Sequence, residues 1–211
     1  MPKINVLPKS IAELIAAGEV VERPASIVKE AIENSVDAGA THITVEIQHG
    51  GITYIRITDN GCGISQDDVP KAFLRHATSK IKNAVDLDRI STLGFRGEAL
   101  AATSAVSRVE LFTKTSEEEI GTHYKIEGGE EVLNEEVGCP DGTTLIVRDL
   151  FYNTPARMKF LKKDVSEGTT VSAVVERQAL SHPEIAFKLI RDGKQTLVTS
   201  GDGKTASAVY S

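Results

Sequence analysis

The paired segments THITVEIQ (41–48) and ITYIRITD (52–59) constrain this chain most. Both alternate apolar and polar residues with period two, as half-buried strands do. The intervening HGG leaves room only for a tight reversal, so an antiparallel strand–turn–strand is expected. Period two puts Ile55, Ile57 and Asp59 on one face of the second strand. That face is apolar until its last position, where an aspartate replaces the next hydrophobe. Gly61 and Gly63 follow and permit a tight turn and the close approach of a flat ligand. A buried carboxylate is costly unless it is hydrogen-bonded. Asp59 therefore reads either as an Asx-type turn closing the strand or as the acceptor for an exocyclic amine such as N6 of adenine.

The flanking sequence supplies helices and more strands. SIAELIAAGEVVER reads as a helix with Ser10 as its N-cap. Pro24 opens a second helix, PASIVKEAIENSVDAGA, which Gly39 is placed to end. Ser65 with Asp68 three residues on predicts a capped helix running to about Ala77. Residues 78–97 carry turn signals and few periodic apolar positions, a length expected of a functional loop or lid. A helix over GEALAATSAV, strands over RVELFTKT, THYKIE, EEVLNEEV and TTLIVRDL, a short helix near ARMKFL and a longer one over TTVSAVVERQALSH follow. IAFKLIRDGKQTLVTS is expected to form a hairpin around Asp192-Gly193. Hairpins with helices between them predict an α+β class or an α/β two-layer sandwich. KTASAVYS reads as a new helix begun at the last residues, which places one domain over residues 1–200 and the start of a second over 201–211.

Composition narrows the function classes. No apolar run approaches the ~18 residues of a membrane span, and the N-terminal residues lack the apolar stretch of a signal peptide. Cys62 and Cys139 form no framework or metal pattern, so a cytoplasmic, reduced setting is expected. The net charge of −6 does not favour nucleic acid, although a net charge can hide a local patch. Much of the acidity sits between Glu117 and Glu136, where a solvated loop or edge hairpin is the plain expectation.

Four further features carry chemistry. Glu30 and Asn34 lie four apart, at the rim of the apolar arc Ile27, Val28, Ala31, Ile32 and Val36. There a carboxylate can take a proton from water and an amide oxygen can ligate a hard cation such as Mg²⁺. Alone, such a pair is commonly a solvated helix face. Thr78, Ser79 and Lys80 offer hydroxyls and an ammonium to phosphate oxygens, or simply end a helix. LGFRGEAL brings backbone amides from Gly94 to Gly97 to a helix start without a P-loop lysine, with Arg96 between the glycines. Gly142 and Thr143 open a strand, where a hydroxyl can reach a base edge directly or through water.

In order and combination these motifs resemble those of the GHKL ATPase superfamily, which includes topoisomerase ATPase domains, histidine kinases and MutL. GEVVERPASIVKEAIENSVDAGA, DNGCGI, RHATSK, LGFRGEAL and DLFYNTPARMKFL look specifically like MutL-type mismatch repair proteins, over about Ile4 to the last residue. The resemblance implies a Bergerat-type fold binding ATP and Mg²⁺, an α/β two-layer sandwich whose sheet is mixed and mostly antiparallel with helices on one face. It implies Glu30 as general base, Asn34 as Mg²⁺ ligand and Asp59 at the adenine amine with Gly63 and Thr143. Thr78, Ser79, Lys80, Gly94, Phe95, Arg96, Gly97 and Glu98 would surround the phosphates. It further implies a nucleotide-driven switch that joins N-terminal domains of longer subunits into dimers and links mismatch recognition to downstream repair proteins and DNA. Family members send a lysine from a second domain to the γ-phosphate, so weak or absent hydrolysis by these 211 residues is expected. A histidine-kinase-like phosphotransferase would lack GFRGEAL and FYNTPAR. A DNA-binding module without catalysis would rest on Arg157, Lys159, Lys162 and Lys163, for which a solvated helix face is the simpler account.

Overall fold

The computed structural model describes residues 5, 6, 8–80, 93, 94 and 97–209. The chain opens with α1 (Lys9–Val20) and α2 (Pro24–Asp37), then β1 (His42–Gln48) and β2 (Tyr54–Asp59). After α3 (Val69–Ala72) and α4 (Ala99–Ala105) come β3 (Arg108–Lys114), β4 (Gly121–Glu127), β5 (Glu130–Val137) and β6 (Gly142–Arg148). The last part holds α5 (Pro155–Met158), α6 (Asp164–Ser181), β7 (Ala186–Arg191), β8 (Lys194–Val198) and α7 (Thr205–Val209).

The eight strands form one sheet in the order β5-β4-β3-β6-β2-β1-β7-β8. Every pairing is antiparallel except β1 with β7. That parallel pair needs a long crossover, and the whole chain between β1 and β7 supplies it. Paired residues share a face, so the register aligns Val45, Ile57, Leu145 and Leu111 in one buried row across the sheet. The apolar arc of α2 and one side of α6 close over that face, Val28, Ile32, Val171 and Val175 being fully buried there. The opposite face carries charge: Arg56 pairs with Glu46 at 2.6 Å, and Glu110 receives Arg148 at 3.3 Å.

One end of the inner face is polar. Asp59 sits opposite Thr143, Thr143 opposite Thr113, and Thr113 opposite Thr122. A polar row beneath helices is costly unless its members bond one another. Here Thr113 is satisfied: its Oγ1 lies 2.9 Å from the Gly142 carbonyl and 3.1 Å from Thr143 Oγ1, and accepts the Ile64 amide at 2.9 Å. The sheet thus builds a hydrogen-bonded polar end beside the last turn of α2.

Several boundaries differ from expectation. Ser10 is not the N-cap of α1: the helix begins at Lys9, with Pro8 in the cap position. It stops at Val20 rather than at Arg23, because Pro24 forces Arg23 into extended backbone (φ −161°, ψ 170°). The helix after Ser65 is a single turn that ends at Ala72, not Ala77. The Ser65 hydroxyl bonds the Asp68 carboxylate at 3.1 Å instead of capping backbone, and His76 turns left-handed at φ 62°. α6 starts at Asp164, five residues before Thr169, where buried Glu167 accepts the Lys162 amide at 3.0 Å. Of the acidic run, Glu117, Glu118 and Glu119 precede β4, Glu127 ends it, and Glu130, Glu131, Glu135 and Glu136 lie on β5, an exposed edge strand hairpinned to it. Asp192 and Gly193 both have positive φ, the two-residue turn that the hairpin requires. Most of the loop expected over 78–97, including Phe95 and Arg96, lies outside the described residues.

Candidate functional site

Asp59 is the centre of the polar end. It is 8 % exposed, and both of its oxygens are engaged. Oδ1 accepts the Gly61 amide at 2.9 Å, and Oδ2 lies 2.7 Å from the Ser35 hydroxyl, reaching from α2. Ser35 Oγ is also 3.0 Å from the Ala31 carbonyl, but a hydroxyl has one proton to give. The charged acceptor takes it more strongly. Burial raises the Asp59 carboxyl above its ordinary 3.8, against the Gly61 amide, the Ser35 hydroxyl and the Thr143 amide, which pull it down. Each carboxylate oxygen has two acceptor positions, so Asp59 retains capacity for an amine donor after these bonds are made. Gly63 has a requirement of its own: its φ is +71°, and a Cβ there would lie 2.1 Å from the Lys114 carbonyl oxygen. Gly63→Ala should therefore displace the backbone against β3 and lower the thermal midpoint. Left-handed strain alone costs about 1–2 kcal/mol, and an unchanged melt would remove that packing argument.

One turn away, the C-terminal end of α2 gathers the second group. Lys80 Nζ lies 3.0 Å from Asn34 Oδ1 and 2.5 Å from Asp37 Oδ2. The amides of Leu93 and Gly94 point at the same Asp37 carboxylate, at 3.1 and 3.4 Å. Burial pushes the Asp37 carboxyl up, but the Lys80 ammonium and the two amides outweigh it and hold it below its ordinary 3.8. Thr78 Oγ1 accepts the Lys80 amide at 3.2 Å, and Ser79 is exposed beside it. Gly97 closes the far side: its carbonyl accepts the His76 amide at 3.1 Å, and a Cβ on it would lie 2.2 Å from the Ala77 oxygen, at φ +61°. Glu98 precedes α4 and pairs with His76 at 3.2 Å. Lys80, Leu93 and Gly94 thus meet at the end of α2, while His76 and Ala77 meet Gly97 and Glu98 beside α4.

Glu30, one turn before Asn34 on α2, has a side chain 39 % exposed and accepts a hydrogen bond from Lys29 at 3.3 Å. Thr143 lies beside Asp59, with its hydroxyl on Thr113. Sequence reasoning does not single out Ser35, Asp37 or Thr113. A serine on the buried side of an apolar helix and an acid at the unfavourable, negative end of a helix are the available signals. Neither marks a ligand without the fold.

The two carboxyls should titrate apart. Asp59, raised, contributes stability that is full below 3.8 and lost as the pH rises through its folded value; Asp37, lowered, contributes stability present above 3.8 and lost as the pH falls through its own. Carboxyl ¹³C NMR should place Asp59 above 3.8 and Asp37 below it. The reverse order would contradict the surroundings described for both.

The donor set fits a nucleotide and a divalent cation. The buried Asp59 acceptor suits an amine, and Asn34 Oδ1 already holds a cation, the Lys80 ammonium. Among the described residues, no group of three or more acidic, histidine or cysteine side chains could hold a metal by itself.

Residues 22–137 match the model of the histidine kinase-, DNA gyrase B- and HSP90-like ATPases. The DNA mismatch repair protein MutL of Agathobacter rectalis is 59 % identical over the whole chain, and that of Caldanaerobacter subterraneus subsp. tengcongensis 53 % over 99 % of it. The chain spans 32 % and 35 % of the lengths of these relatives. Among solved structures, the ADP-complexed ATPase domain of Aquifex aeolicus MutL superposes with a TM-score of 0.75 at 35 % identity, over 90 % of this chain and 70 % of that one. The N-terminal domain of a DNA repair protein gives 0.80 at 27 % identity, over 95 % and 59 %. With a family model covering more than half of it and a MutL ATPase domain matched over most of its length, the chain belongs to the histidine kinase-, DNA gyrase B- and HSP90-like ATPase family, as a MutL-type ATPase domain.

Proposed function

We propose that this domain binds and hydrolyses ATP with Mg²⁺ and acts as a nucleotide-driven switch in mismatch repair. The observation that carries the nucleotide reading is the juxtaposition at the end of α2. A buried carboxylate with acceptor capacity lies one turn from a lysine, an amide oxygen and two converging backbone amides. Asp59 accepts the adenine amine, with Gly63 and Thr143 beside it. Lys80, Thr78, Ser79, the amides around Gly94 and Gly97, and the neighbouring Glu98 line the phosphate side; Phe95 and Arg96, outside the described residues, join this proposal on the family resemblance alone. Asn34 holds Mg²⁺, which when bound neutralises phosphate charge. Glu30 takes the proton of the attacking water.

ATP can drive a switch only through its preference for one conformation. The phosphate side is built from segments distant in sequence, so ligand contacts there tie α2 to α4. In the whole protein this preference favours association of N-terminal domains and engagement of mismatch-recognition and downstream repair proteins on DNA. The MutL relatives carry mismatch repair in their names, which supports that setting. Calorimetric titration with ATP, ADP and GTP, with and without Mg²⁺, tests the core of the reading. ATP and ADP should bind and GTP should not. No adenine-nucleotide binding, or equal affinity for GTP, would overturn it.

A further inference from the structure

We infer that Asp37 holds, in the nucleotide-free protein, the donors that a nucleotide's phosphates take, so that binding is an exchange of one anion for another at Lys80, Leu93 and Gly94. The inference rests on the nucleotide reading above and adds a residue that the reading does not use.

Asp37 is the last residue of α2, where the helix dipole disfavours a carboxylate. Its side chain is only 10 % exposed, and a desolvated charge persists only when it is paired and hydrogen-bonded. It is satisfied by one ammonium and two consecutive backbone amides. That is the donor set of a phosphate oxygen site, with a carboxylate in the phosphate's place. Lys80 also spans Asp37 and Asn34, so the cation that neutralises the carboxylate sits on the oxygen proposed for Mg²⁺.

A triphosphate reaching these donors comes close to Asp37. Two anions a few ångströms apart in a half-buried site repel strongly. The donors therefore serve one or the other. Apparent nucleotide affinity is then reduced by the share of molecules in which Asp37 keeps them. A merely structural Asp37, holding Lys80 and the loop ends in both states, predicts the opposite: its loss would loosen the phosphate side and weaken binding.

The test measures ATP affinity in the presence of Mg²⁺, and amide exchange at Leu93 and Gly94, for the wild type and Asp37→Asn, with thermal unfolding to confirm that the variant folds. Asp37→Ser serves as a second variant if the asparagine disturbs the helix end. Removing the competing charge should tighten ATP binding roughly ten- to a hundredfold, the effect of losing a typical charge-assisted hydrogen bond. The Leu93 and Gly94 amides should exchange faster in the free variant than in the free wild type, and slow again when ATP binds. Unchanged or weaker binding by a folded variant would overturn the exchange while leaving the nucleotide site standing. Unaltered amide exchange in the free variant would overturn it equally. A wild type that binds no nucleotide would overturn the site and the exchange together.

Discussion

In the full-length protein, Glu30→Ala should bind ATP nearly as well as the wild type and hydrolyse it about 10²- to 10⁴-fold more slowly, the usual contribution of a general base. The expectation comes from where Glu30 stands. It shares a helix with Asn34 and lies one turn before it, yet its hydrogen bond comes from Lys29 and not from the groups around Asp59 or Asp37. Its side chain is exposed enough to meet water, and truncating it leaves no buried partner unsatisfied. Fold and nucleotide contacts should therefore survive. Single-turnover hydrolysis beside equilibrium binding separates the two effects. Turnover within a few-fold of the wild type would take Glu30 out of the proton transfer. A parallel loss of affinity would make it a binding group instead.

Much of this arrangement is legible in the amino-acid sequence. Alternation marks β1 and β2, and with them the face that puts Asp59 at the end of a buried row. Pro24 and Gly39 mark the ends of α2 for simple stereochemical reasons, a ring that removes a donor and a residue free to adopt positive φ. What is not legible depends on distance in space. The partners of Asp59 come from α2 and β6, and no periodicity in β2 announces Ser35 or the Thr143 amide. Asp37 reads as the polar end of a helix, and only the fold makes Lys80, Leu93 and Gly94 converge on it. The parallel pairing of β1 with β7 likewise joins segments more than a hundred residues apart, which hairpin signals cannot report. Helix ends depart from expectation where local capping rules compete with other bonds. Ser65 has a carboxylate side chain within reach and bonds it, and α6 gains its first turn from a buried glutamate.

Asp59→Asn should weaken ATP binding roughly ten- to a hundredfold, the loss expected when a charged hydrogen bond of about 1.5–3 kcal/mol is removed. The carboxylate accepts from every side: the Gly61 and Thr143 amides and the Ser35 hydroxyl already approach it as donors. An asparagine presents one oxygen and one NH₂ group to the same surroundings, so at least one donor faces another donor. The adenine amine then meets a weaker acceptor or a competing donor. GTP presents a carbonyl oxygen where ATP presents the amine, so the wild type should discriminate against it because two acceptors would meet. Asp59→Asn should narrow that discrimination, since its NH₂ can turn toward the guanine oxygen. The same logic fixes the pH dependence. Burial raises the Asp59 carboxyl above 3.8, so protonation removes the acceptor at a higher pH than for an exposed aspartate. ATP affinity should accordingly fall on acidification before ordinary carboxylates titrate, and Asp59→Asn should lose that fall. Full ATP affinity in the variant, or an unchanged preference for ATP over GTP, would move base recognition away from Asp59.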